Sequence, residues 1–254
     1  MKALMWKEYR ENRVKLIIGC ALLAIAGAAI SIAYHFFESG IPGLGQMPPE
    51  VLELVKKIMP DFSNVNAYLF SQWFTKNLQQ LGGILTVVLL GSAVASEREL
   101  HTAIFLYSRP VTRSAVLAAK TVVLFTGLAV TVVIATAATV LGAVLIGRTP
   151  GVLFILSATL HSIVALLTFA SLATLFSVLV ADRIKAILLS GGTIILLSVA
   201  GQFRGLGWLN PLALFGSSSL IAHPTPQLVP LAVGIVLSAA MLALANRFLQ
   251  RQEF

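Results

Sequence analysis

The run TVVLFTGLAVTVVIATAATVLGAVLIG, residues 121–147, contains no Asp, Glu, Lys or Arg. It exceeds the ~20 apolar residues that carry an α-helix across a bilayer. Equivalent uncharged runs recur at 16–37, 77–96, 149–181, 186–203 and 205–246. Over the whole chain, 57% of residues are hydrophobic and 11% charged, with a mean hydropathy of +0.91. A globular domain carries roughly 25% charged residues, so these values exclude a water-soluble fold.

The last run is too long for one crossing and holds Pro211, Pro224, Pro226 and Pro230, which break helices. It divides into a broken outer segment at 206–227 and a final helix. Asn210, Pro211, Gly216 and Ser217 to Ser219 suit a hairpin shielded by protein better than a lipid-facing helix. The sequence therefore predicts an all-α integral membrane protein, a single transmembrane domain over 1–254 with spans at 16–34, 77–96, 114–146, 152–180, 185–203 and 228–246. The third span, at 1.5 Å per residue, is about 50 Å long, so it should tilt or project beyond a ~30 Å hydrocarbon core.

An even number of spans puts both termini on one side. Placing them in the cytoplasm gives inner segments holding Lys2, Lys7, Arg10, Arg13, Lys15, Arg98, Arg109, Arg113, Lys120, Arg183, Lys185, Arg247 and Arg251, which is 13 cations. The outer segments hold Lys56, Lys57, Lys76, Arg148 and Arg204, which is 5. Basic residues near span ends stay inside, so the expected location is multi-pass in the cell membrane with both termini cytoplasmic. The net charge of +8 then faces anionic lipid headgroups and carries no implication of nucleic-acid binding.

Three connecting segments stand out. Residues 1–15 place Met1, Leu4, Met5 and Tyr9 on one helical face and most charges elsewhere. This predicts an interfacial elbow helix, with Trp6, Tyr9 and Arg10 at the headgroup level, that enters span one at a sharp angle. The outer loop, 35–76, contains Pro48 and Pro49 followed by an amphipathic run that stops before Pro60, a helix lying on the outer surface. The cytoplasmic connection 97–109 is the most informative. Ser96 can cap a helix whose positive end suits Glu97 and Glu99. Leu100, Ala103, Ile104 and Tyr107 then form a stripe at i, i+3, i+4 and i+7, and Arg109 precedes a terminating Pro110. Such a helix can dock in a groove of another protein or lie flat on lipid.

A search for chemistry returns little. No Gly-x-x-x-x-Gly-Lys-Ser/Thr run is present, so nucleotide phosphates cannot be cradled in the P-loop manner. The six uncharged runs hold no carboxylate or lysine for ion coupling. His35, His101, His161 and His223 lack metal-ligand spacing, and no metal site is expected. His161 lies mid-span, and Ser157, His161, Thr168 and Ser171 form a weakly polar stripe that must face protein or a cavity. It can serve interhelical hydrogen bonding or line a substrate path. An intramembrane serine protease would need a nucleophile in a Gly-x-Ser-Gly-type turn, and Gly216 to Ser219 do not supply one. Cys20, the only cysteine, reads as a small core residue of span one.

Taken in order, these features resemble the membrane subunit of ATP-binding-cassette exporters of the type-2 (ABC-2) permease family. The resemblance covers the whole chain. Its most specific local part is Glu97, Arg98, Glu99, Thr102, Leu106, Ser108, Arg109, Pro110, Val111, Thr112 and Arg113, which is similar to the family's acidic, Thr, Leu, Pro pattern between spans two and three. Asn210 and Pro211 look like the Asn-Pro that opens the family's outer hairpin. The resemblance implies a transport permease with no cofactor of its own, ATP and Mg being held by two separate cassette-type ATPase subunits that receive 97–109 as a coupling helix. It also implies a second permease copy, identical or related, and export of a small amphipathic or hydrophobic cargo between the two bundles. The alternative from another class is a membrane scaffold that recruits cytoplasmic partners without transport.

Overall fold

The computed structural model describes residues 2–40, 64–100 and 112–252, with side chains up to His35 in the first stretch. Its helices are α1 (Lys2–Gly40), α2 (Val65–Tyr68), a π-helical run (Leu69–Gly82), α3 (Gly83–Gly91), α4 (Ala95–Glu99), α5 (Arg113–Leu145), α6 (Val152–Leu179), α7 (Arg183–Ala200), α8 (Ser219–Ala222) and α9 (Leu228–Arg251). No strand occurs among the described residues. Among the described residues five helices, α1, α5, α6, α7 and α9, are long and apolar enough to cross a membrane.

The expected elbow is not a separate element. Residues 2–40 form one helix, because nothing between Lys2 and Ile18 breaks it: neither glycine nor proline occurs there. Span two also begins earlier than the uncharged run suggests. Helix starts at Val65, where the Asn64 side chain accepts a hydrogen bond from the Ala67 N–H, and continues through the π-helical run into α3 without interruption. Lys76 marks the edge of the uncharged run but does not end the helix, since its exposed side chain can extend to a polar boundary. The wide turns are anchored by side chains reaching back five residues, Thr75 Oγ1 donating to the Phe70 carbonyl at 3.0 Å and Asn77 Nδ2 to that of Gln72 at 2.7 Å.

The third span holds as a 33-residue helix, α5. Thr112 caps it, its hydroxyl accepting from the Ala115 N–H. α6 and α7 match their expected spans within three residues, and α9 runs on to Arg251. The broken outer segment consists of two short 3-10 turns, Gly207–Leu209 and Pro211–Phe215, followed by α8. The outer-surface helix expected after Pro48 lies outside the described residues.

α6 is the central post, with 56% of its apolar window buried, and it packs against α3, α5, α7, α9 and the broken hairpin. Ala158, Ser162, Ala165, Ala170, Ala173 and Ser177 are wholly buried along it; small residues let neighbouring backbones approach closely. α1 lies along α5. At their crossing a Cβ on Gly27 would collide with the Thr139 hydroxyl, and Ser31 Oγ donates to the Thr139 carbonyl at 2.7 Å. Trp73, Phe74 and Phe154 fill the core at the opposite end from the termini. Both termini lie at the same end: Lys120, early in α5, meets Glu8 of α1, while Gln250 of α9 donates to Ser114 Oγ at 2.9 Å.

Candidate functional site

Two polar constellations occupy the two ends of the bundle. At the end holding the termini, Lys120 Nζ lies 3.0 Å from Glu8 Oε1 and 2.8 Å from Glu97 Oε1. Lys7 Nζ adds contacts of 3.3 Å to Glu97 and 3.4 Å to Glu11. Glu8, Lys120 and Glu97 are buried. Ions removed from water are stable only when paired, so this cluster joins three segments distant in sequence: the start of α1, the corner carrying α4, and the base of α5.

α4 is tied down on a second side as well. Ser177 Oγ of α6 accepts from the Val94 and Ala95 N–H groups at 2.9 and 3.0 Å. Arg98 Nη1 donates to the Val178 carbonyl at 2.8 Å. Glu99 Oε2 accepts from the Arg183 N–H at 3.1 Å, and its other oxygen lies 3.6 Å from Arg183 Nε. Arg113 donates to the carbonyls of Leu249 and Gln252, joining the base of α5 to the end of α9. Among the charged residues expected on a docking helix, Glu97 is thus internal, and Glu99 binds the start of α7. Ser96 lies within α4 rather than capping it, because the helix starts one residue earlier, and α4 ends at Glu99 with Leu100 65% exposed. Ala103, Ile104, Tyr107 and Arg109 lie outside the described residues.

At the far end the groups are uncharged. Ser157 Oγ donates to the Pro224 carbonyl at 2.7 Å. His161 is wholly buried, with Nε2 accepting from the Gln227 N–H at 3.0 Å and Nδ1 lying 3.2 Å from the Leu214 carbonyl. An acceptor at Nε2 and a carbonyl at Nδ1 together define the neutral tautomer protonated on Nδ1. His161 therefore clamps both limbs of the hairpin. Gly216, at φ +93°, makes the turn beside the ring, and a Cβ there would sit 2.6 Å from Leu220 Cδ1. Thr168 Oγ1 donates to the Gly234 carbonyl at 3.1 Å and accepts from Ser238 Oγ at 3.1 Å, bridging α6 and α9. Ser171 bonds back to Leu167 within α6. The stripe faces protein, and three of its four members hold the hairpin or α9.

The sequence reading missed Glu8, Lys7 and Lys120 as a unit. Its signal was Lys120 itself, inside a membrane-length helix, where a cation calls for a buried partner. Trp6, Tyr9 and Arg10 are exposed on the leading turns of α1.

These features define a multi-pass helical membrane protein with an ion-paired cluster at one end and a neutral hydrogen-bonded cluster at the other. A family model described as "ABC-2 family transporter protein" matches residues 3–252, and the chain belongs to that family. No individual curated protein gives a match. The chain is accordingly an ABC transporter permease, a membrane transport component that is not itself catalytic, from a family whose members work with ABC ATPase partners.

Proposed function

We propose that this chain is the permease subunit of an ATP-driven exporter that works as a pair of copies with two separate cassette-type ATPases. Each copy crosses the membrane six times, the helical run Val65–Gly91 supplying the crossing that joins the five long helices. Both termini face the cytoplasm. The observation that carries the reading is the bracing of α4 by the Glu8–Lys120–Glu97 cluster, by Ser177 and by Arg183. A force applied just beyond Leu100, in the coupling segment, is passed at once to α1, α5, α6 and α7. A buried network of this kind moves as a unit, which is what ATPase-driven closure requires of its receiver.

The second copy packs against the outer face of α7, where Leu188, Ile195 and Leu196 are exposed. Between it and the 79–88 stretch lies a groove of about 580 Å³ lined by Gln79, Gln80, Gly191 and Gly192. The groove supports a cargo path at the contact of the two bundles and suits a small amphipathic or hydrophobic cargo. Ser157, His161 and Thr168 take part by holding the hairpin and α9 that border the path, while Ser171 stays bonded within α6.

The test is affinity purification of the chain from its native membrane in mild detergent, with mass spectrometry and ATPase assay of what accompanies it. A stoichiometric cassette ATPase, lost on replacing Leu100 and Tyr107 with Asp, is expected. A chain that purifies alone or with non-ATPase partners overturns the reading in favour of a scaffold.

A further inference from the structure

Beside the ion cluster, and on the other side of α1, the leading turns of α1 and the first half of α5 enclose a groove of about 690 Å³. Its polar mouth carries Lys2, Trp6, Tyr9 and Arg13, and its depth runs between Ile17 and Cys20 on one wall and Val122 to Ile134 on the other. We infer that this groove is a binding site for one anionic phospholipid of the leaflet next to the N-terminus, with its headgroup lying between Lys2 and Arg13 and an acyl chain along α5.

Three observations carry the assignment. The first is length. From Val122 to Ile134, at ~1.5 Å per residue, the wall is about 18 Å long, close to one leaflet of a ~30 Å hydrocarbon core. The second is charge. The leader's acids are turned away: Glu8 is committed to Lys120 and Glu11 to Lys7, whereas Lys2 and Arg13 pair with no carboxylate among the described residues and line the mouth. Trp6, 62% exposed, and Tyr9 sit with ring centroids 5.8 Å apart, and such amphipathic rings settle at headgroup level. The third is lining. Below the mouth, Ile17, Val122, Val130 and Ile134 are apolar and exposed, a surface that an acyl chain covers favourably. The inference does not depend on transport.

The test uses the full chain in mild detergent, titrated with phosphatidylglycerol or phosphatidylcholine and read by native mass spectrometry. One phosphatidylglycerol per chain should be retained in preference to phosphatidylcholine. Replacing Lys2 and Arg13 with Gln should weaken that retention roughly thirtyfold, at the usual contribution of a cation beside an anionic headgroup. Thr126→Trp, which fills the acyl wall, should abolish it, and Arg247→Gln should leave it unchanged. As a readout independent of any variant's folding, phosphatidylglycerol bearing a diazirine on its acyl chain should label peptides containing Cys20 and Val130 in the wild-type chain. Equal retention of the two lipids, retention unaffected by the Gln pair, or labelling elsewhere overturns the assignment. So does a Thr126→Trp variant that separates two copies while its lipid content is unchanged, since the groove is then a contact between copies.

Discussion

The two ends of this bundle solve the same problem, joining segments far apart in sequence, with different chemistry. The terminal end uses full charges, Lys120 between Glu8 and Glu97. The far end uses a neutral imidazole and hydroxyls against backbone groups of the hairpin. A charge pair is costly to break and loses little when replaced whole, whereas a neutral hydrogen bond is modest in both respects. The terminal end is therefore held firmly but intolerant of any single loss, and the hairpin end is adjustable. If ATPases push at the terminal end, as proposed, that asymmetry leaves the hairpin end free to respond.

The largest effect should come from Lys120→Ala, which leaves Glu8 and Glu97 buried without their cation. We expect a loss of about 3–5 kcal/mol, read as a lowered unfolding midpoint in detergent. Lys120→Met combined with Glu8→Gln and Glu97→Gln should recover most of it. If Lys120→Ala unfolds like the wild type, the two ends do not differ as argued.

At the hairpin, His161→Ala removes the partners of the Gln227 N–H and the Leu214 carbonyl, a cost of about 1–3 kcal/mol. Hydrogen exchange should quicken across 207–227 and stay unchanged at the start of α1. Exchange that quickens equally at both ends would show the hairpin to be coupled to the ion cluster. Thr168→Val, which loses one bridge between α6 and α9 while its isosteric methyl keeps the packing, should cost about 1 kcal/mol and loosen only the first turns of α9.

The bundle was readable from the sequence because uncharged length is a one-dimensional property. α5, α6 and α9 begin within a residue of the expected span starts at 114, 152 and 228. What required structure was pairing in space. Glu97 is exposed in a helical-wheel reading of its own segment, and only the approach of Lys120, 23 positions later in the sequence, buries it. The elbow failed for the same reason. An amphipathic leader reads as lying on lipid until Glu8 is seen to bond to Lys120 of α5, which packs the leader against the bundle. The polar stripe of α6 was legible as inward-facing, but its targets are carbonyls and N–H groups of the hairpin, which carry no side-chain signature.

The smallest effect expected belongs to the terminal end and separates its surface from its interior. Asp182 accepts from the Ile184 and Lys185 N–H groups at 2.8 and 3.0 Å, capping α7. The Lys185 N–H holds its carboxyl below the ordinary carboxylate range, outweighing the desolvation that opposes it, with the Ile184 N–H and the charges of Lys185 and Arg183 acting in the same direction. The folded state thus prefers the ionised form. Its stabilisation is complete above the ordinary value of about 4 and is lost as pH falls through the lowered folded value. Amide protection at Ile184 and Lys185 should fall over that acid range in the wild type. Asn caps as well as Asp without titrating, so Asp182→Asn should remove the pH dependence of that protection while leaving its value at neutral pH nearly unchanged. A pH dependence that persists unchanged in the Asn variant would show that the Asp182 cap does not govern the acid response of this helix start.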